Sequence, residues 1–167
     1  MFEHKLLYGS KGLGQATGAV DASDAIPAED YTIPIGKGIV RRQGSHVTIV
    51  ATLLMMHVAM NAAEELAAEG VSVEVIDPRS LSPFDWDLVE ESVMKTTRVV
   101  IVEEGPKTGG WSAEIAASLG SKMSDYLSAP VVRVASPDIP VPFSPQMESY
   151  YRPNRENIKQ AVLKLID

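Results

Sequence analysis

Two short, almost unbroken aliphatic runs end abruptly in charge. Val73-Glu74-Val75-Ile76 runs into Asp77-Pro78-Arg79-Ser80-Leu81-Ser82-Pro83-Phe84-Asp85, and Val99-Val100-Ile101-Val102 runs into Glu103-Glu104-Gly105. Runs this apolar and this short read as strands covered on both faces, the pattern of a parallel sheet inside an α/β domain. Helical spacing fills the intervals between them. Met56, Met60, Ala63, Leu66 and Ala67 recur on one helical face and stop at Gly70, a C-cap position; Phe84, Leu88, Val89 and Val93 give a second amphipathic helix. Ser112 is the expected N-cap of a third helix reaching about Lys122, residues 130–135 form the last strand, and a final helix starts at Asn154 or Arg155 with Ile158, Ala161, Val162 and Leu165 on one face.

Ahead of this alternation lie two β-rich runs, residues 35–43 and 46–51, separated by Gly44-Ser45. A two-residue connection led by Gly predicts an antiparallel hairpin. The fold class that follows is α/β: a three-layer α/β/α sandwich around a mostly parallel five-stranded sheet with one antiparallel edge strand. Residues 136–151 hold four prolines and are expected to cross the surface as an extended, irregular stretch. Residues 9–31 are rich in glycine, carry four acidic residues by position 30 and hold few large apolar side chains, so they read as a linker. The expected organisation is a remnant of a preceding domain at 1–8, that linker, and a complete domain at 32–167.

Composition removes several functions. The formal net charge is −7 with a pI near 5.0, which argues against nucleic acid, whose phosphates need clustered Lys and Arg. The absence of cysteine excludes disulfides, thiolate catalysis and zinc–thiolate sites, and a cytoplasmic setting is the expectation. The longest nearly apolar run, 47–60, is interrupted by Thr48, Thr52 and His57 and falls short of the ~20 residues that span a bilayer, so no membrane partner is expected. His4, His46 and His57 fall in different predicted elements, which leaves no metal-ligand spacing.

Candidate functional residues gather where strands end. Asp77, Arg79 and Asp85 could do acid–base work, or Asp85 could cap the following helix while Arg79 pairs with an acidic neighbour. Glu103 and Glu104, adjacent on a strand, point to opposite faces and cannot share a proton; one is expected to turn inward and the other outward. Gly105-Pro106-Lys107-Thr108-Gly109-Gly110 precedes a helix but lacks phosphate-loop spacing, because its lysine comes before the glycine pair. Ser112 has no nucleophile elbow around it. Leu53, Leu54 and Met55 stand at a strand-to-helix turn that is usually polar, so they are either an exposed patch awaiting a partner or plain core.

Together with Gly109-Gly110, Ser112-Ala113-Glu114-Ile115 and Asp138-Ile139-Pro140-Val141-Pro142-Phe143, these strand ends resemble the C-terminal, transketolase C-terminal-like domain of the beta chain of thiamine-diphosphate-dependent 2-oxo acid dehydrogenases, the pyruvate, branched-chain and acetoin group. Phe2-Glu3-His4-Lys5-Leu6-Leu7-Tyr8 resembles the last segment of that family's pyrimidine-binding domain. The resemblance implies that thiamine diphosphate and Mg in the parent enzyme are held by the alpha chain and the beta chain's N-terminal domain, so no cofactor and no catalytic residue is assigned here. It also implies assembly: with a second copy, with the alpha subunit, and with the binding domain of the dihydrolipoyl acyltransferase. The family's acidic residue before Ala-Pro is replaced by Ser128, leaving the carboxylate at Asp167 and the nearby Asp125, and the usual Gly after the first turn residue is replaced by Leu53. The candidate partner interface is therefore Leu53, Leu54, Met55, Asp77, Arg79, Glu103, Glu104, Asp125, Ser128 and Asp167. Two other readings share the fold: a free-standing interaction or regulatory module, and the same domain of a transketolase or deoxyxylulose-phosphate synthase.

Overall fold

A computed structural model describes residues 1–8 and 25–166. Asp167 and positions 9–24 of the expected linker lie outside the described residues; residues 25–31 carry no helix or strand. A 3-10 turn at Lys5–Leu7 precedes β1 (Ile39–Arg42), β2 (Val47–Ala51), α1 (Leu53–Ala68), β3 (Val73–Asp77), α2 (Trp86–Thr96), β4 (Val99–Pro106), α3 (Trp111–Lys122), β5 (Val132–Ser136), α4 (Pro145–Tyr151) and α5 (Arg155–Ile166).

The five strands form one sheet in the order β1-β3-β2-β4-β5, parallel except for β1. Period-two alternation sorts its side chains into two cores. Val47, Ile49, Ala51, Val73, Val75, Val100 and Val102 pack beneath α1 and α5, while Val50, Ile76, Val99 and Ile101 pack beneath α2 and α3. The predicted three-layer sandwich is therefore the observed one. α1 ends in a Schellman motif: Gly70, at φ +84, donates its N–H to Ala67 O at 3.0 Å, and Val71 donates to Leu66 O at 2.9 Å.

Three expectations are corrected. First, β1 is the antiparallel edge strand, but its partner is β3, with Ile39 opposite Asp77; it forms no hairpin with β2. β3 lies between them, so the Gly44-Ser45 connection steps over the start of β3, where Ser45 and His46 N–H both donate to Ser72 O. Gly44 is required there because a Cβ would sit 2.1 Å from the Glu74 nitrogen. Second, residues 136–151 are not wholly irregular. Pro145 occupies the first turn of α4, where its missing N–H costs nothing, and Ser144 Oγ caps the helix by accepting from Met147 N–H. Third, Leu54 and Met55 are not exposed: β2 passes to α1 through Thr52 alone, so the helix's first turn lies against the sheet and buries both side chains.

Leu54 is 5% exposed within the core under α1. Leu54→Ala is expected to lower the free energy of unfolding by about 2–5 kcal/mol, measured by urea denaturation, through lost transfer energy and the cavity left behind.

Candidate functional site at the carboxyl end of the sheet

β2 connects through α1 to β3 on one side, and β4 connects through α3 to β5 on the other. The adjacent strands β2 and β4 thus depart in opposite directions, and the gap beyond their carboxyl ends is a topological switch point, the usual ligand or partner position in such sheets. Thr52-Leu53 and the loop 105–110 border it.

The strand β4 continues through the two glutamates to Pro106, so they are strand residues and not loop residues. Alternation sends Glu103 toward α3, where its carboxylate is only 2% exposed. Ser112 O–H donates to Glu103 Oε1, Ser112 N–H donates to Oε2 at 3.4 Å, and Arg133 Nη2 reaches Oε1 at 3.3 Å. Arg133 also donates from Nε to Ser112 Oγ at 2.6 Å and from Nη2 to Lys107 O. Ser112 is therefore not the N-cap of α3: Gly110 holds that position, and Ser112 is buried in the helix's first turn as a bridge between a carboxylate and a guanidinium.

Glu103 occupies the place at the helix N-terminus where an external anion would bind, so loop 105–110 offers no phosphate cradle there. The glycine pair makes this geometry possible. Gly109 takes φ +74, and a Cβ on Gly110 would stand 2.2 Å from Glu103 Oε1 and 2.5 Å from Pro106 O. The loop is pinned on its far side as well. Lys107 N–H donates to Ser136 O at 2.9 Å, Ser136 Oγ donates to Glu104 O at 2.8 Å, and Thr108 donates from N and Oγ1 to the two oxygens of Asp138 at 2.8 and 2.7 Å. Those Thr108 bonds hold the Asp138 carboxyl below the usual carboxylate range.

Glu104 faces the opposite layer and joins three segments. His4 Nε2 lies 2.6 Å from its Oε2, and Arg152 Nε lies 3.8 Å from its Oε1. Leu6 N–H donates to His4 Nδ1 at 3.2 Å, which leaves Nε2 to carry the proton donated to Glu104. At the sheet's edge, Asp77 Oδ1 accepts from Arg79 N–H at 3.0 Å and Oδ2 from Arg41 Nη2 at 3.5 Å. The guanidinium at Asp77 is thus that of Arg41, while Arg79 contributes its backbone. Asp85 stands at the N-cap of α2 but turns its carboxylate to Gly38 N–H at 2.9 Å and Lys37 Nζ at 3.3 Å, with no side-chain cap bond to its own helix. His57, on α1 beside this corner, has its pKa pushed below the ordinary histidine value by burial and then by Arg41, with Asp77 opposing.

The structure divides the candidate interface. Leu53, Asp77, Arg79, Glu103 and Glu104 stand at the carboxyl end, and Leu54 and Met55 belong to the core. Ser128 stands at the amino end, where its N–H donates to Thr97 O at 2.9 Å, and Asp125 lies on the same turn after α3. Near that end Arg98 Nε donates to Leu165 O at 2.8 Å. Sequence reasoning missed Arg133, His4 and Arg152; the signal available for Arg133 was a lone charge in the apolar stretch Val131-Val132-Arg133-Val134. Among the described residues no three His, Asp or Glu side chains converge as a metal site, and no helix is long and apolar enough to cross a membrane. Around the carboxyl end, large apolar side chains face outward: Ile35, Leu53, Leu81, Ile139, Val141 and Phe143, the last fully exposed.

The family described as transketolase, C-terminal domain, matches residues 36–158. The acetoin:2,6-dichlorophenolindophenol oxidoreductase subunit beta of Bacillus subtilis (strain 168) is 38% identical over 165 residues, covering 99% of this chain and 45% of that protein. The mitochondrial pyruvate dehydrogenase subunit beta-1 of Arabidopsis thaliana is 42% identical over 159 residues, covering 95% of this chain and 42% of that protein. A solved structure described as "Split gene transketolase, inactive beta4 tetramer" superposes with a TM-score of 0.74 at 33% identity, covering 86% of this chain and 46% of that one. The chain thus spans less than half the length of these relatives.

Two outcomes test this geometry. Gly110→Ala is expected to destabilise the fold by about 1–3 kcal/mol in chemical denaturation, since Glu103 and Pro106 must both give way. In NMR titrations His57 is expected to titrate below the ordinary histidine value of 6.5, and Arg41→Ala to raise its midpoint. Because folding favours neutral His57, its contribution is present above that ordinary value and is lost as pH falls through the lower folded value.

Proposed function

Because the chain belongs to the transketolase C-terminal domain family, we propose that it is the C-terminal, assembly part of the beta chain of a thiamine-diphosphate-dependent 2-oxo acid or acetoin dehydrogenase, contributing no catalytic residue. The observation that carries this reading is the character of the carboxyl end: a loop locked by the buried Glu103–Arg133 pair and by hydrogen bonds to Asp138 and Ser136, ringed by outward apolar side chains. Monomeric proteins rarely leave such apolar surface uncovered, and rigid, pre-positioned loops suit a protein partner. The likeness to named beta subunits, and to a structure described as a beta4 tetramer, supports a second copy and an alpha chain as the partners.

The residues present do not fit the cofactor itself. The loop-to-helix position that could take a diphosphate is filled by Glu103, and no converging metal ligands are found among the described residues. Thiamine diphosphate and Mg2+ are accordingly assigned to other parts of the parent enzyme. Docking of a dihydrolipoyl acyltransferase belongs to the same proposal and to the opposite, amino end of the sheet, around Ser128. There Ser128 is engaged with Thr97, so Asp125 on that turn is nominated to meet a basic binding domain, and Asp167 is nominated from the sequence alone. The cytoplasmic setting expected from the sequence is part of this proposal too.

Titrated with thiamine diphosphate and Mg2+ in a calorimeter, the chain is expected to show no micromolar binding and to release no carbon dioxide from a 2-oxo acid. Micromolar binding would overturn the assignment.

A further inference from the structure

Among the described residues, three non-glycine residues adopt left-handed backbone conformations: Leu53 at φ 50, Arg79 at φ 57 and Thr97 at φ 59. For an ordinary side chain this conformation is unfavourable, and it persists where surrounding structure or function maintains it. Two of the three have local explanations. Thr97 is the C-cap of α2, an ordinary left-handed position, and its N–H donates to Val93 O at 2.8 Å. Arg79 sits in a tight turn stabilised by its N–H donating to the Asp77 carboxylate. Leu53 has neither support: Thr52 makes no side-chain cap bond, and the first bond of that turn, Met56 N–H to Thr52 O, is long at 3.3 Å.

What the conformation does achieve is placement. The two residues after Leu53 are buried, while Leu53 itself remains 39% exposed beside the switch point, on the end where the other outward apolar side chains stand. Resting on the assembly reading above, we propose that Leu53 is an anchor held in a strained backbone so that its side chain inserts into a second copy of this chain across the carboxyl-end face. The occupant is argued from charge. Exposed Arg79 and Lys107 share that end with exposed Asp138 and partly exposed Asp77, so a two-fold contact lets the cations of one copy meet the carboxylates of the other.

The experiment compares the full chain with Leu53→Asn and Leu53→Met. Asn tolerates left-handed backbone and removes the apolar tip, whereas Met keeps an apolar tip of similar volume. A dilution series in sedimentation velocity gives the dimer Kd, and calorimetric scans at concentrations where each protein is monomeric give Tm. Leu53→Asn is expected to weaken association at least tenfold without lowering the monomer's Tm, and Leu53→Met to stay within about threefold of the parent, as a volume-conserving exchange permits. An unchanged Kd for Leu53→Asn in a chain that does dimerise overturns the anchor while leaving the assembly reading standing. A Tm several degrees lower for Leu53→Asn also overturns it, because the side chain would then be packing within its own chain. A parent chain that stays monomeric at all concentrations overturns the second copy as occupant, and with it the self-association part of the assembly reading.

Discussion

The buried carboxylate of Glu103 is the constraint around which the carboxyl end is organised. At 2% exposure it could not remain charged without close partners, since an isolated buried charge is prohibitively costly. Its partners come from two other elements, Ser112 of α3 and Arg133 of β5, so one side chain of β4 binds the last helix and the last strand of that side together. Such a pair adds little net stability compared with apolar packing, but loss of one member leaves the other charge buried and costs about 3–5 kcal/mol. The arrangement therefore favours specificity of shape. It admits one path for loop 105–110, which only the Gly109-Gly110 pair can follow.

Glu104, the next residue, does the same for the opposite layer. It brings the N-terminal segment, through His4, and the turn after α4, through Arg152, onto the end of the same strand. The two-residue period of a strand is enough to explain why adjacent, identical side chains serve opposite faces. Part of the outward apolar surface is carried by a segment fixed to this framework: Ile139 follows Asp138, which Thr108 holds. A surface built on fixed segments loses little freedom on association, which is what an assembly face requires.

Much of this was legible in the residues themselves. The aliphatic runs identified the buried parallel strands, helical spacing found the large helices, and alternation foretold that Glu103 and Glu104 would part ways. The hairpin signal at Gly44-Ser45 misled because it is local, whereas the insertion of β3 between β1 and β2 is a property of the whole sheet. The same limit applies to Leu54 and Met55. Their burial depends on how abruptly β2 turns into α1, and a one-residue connection at Thr52 cannot be distinguished by composition from an exposed loop. Ser112 looked like a cap because capping residues are also good hydrogen-bonding bridges, and its true partner lies nine positions earlier. α4 was hidden by the proline-rich run before it, although Ser144-Pro145 is itself a helix-start signal.

The central claim is that the carboxyl end of the sheet, held in shape by Glu103, is the face this chain uses to assemble. Hydrogen–deuterium exchange at concentrations below and above the onset of self-association tests it most directly, because it reports which backbone becomes covered. The account predicts that protection rises with concentration in residues 52–53, 78–84, 105–110 and 137–143, with the turn at 124–130 unchanged. Protection gained instead at 124–130 and at the C-terminal end of α5, with the carboxyl-end loops exchanging as before, would contradict it.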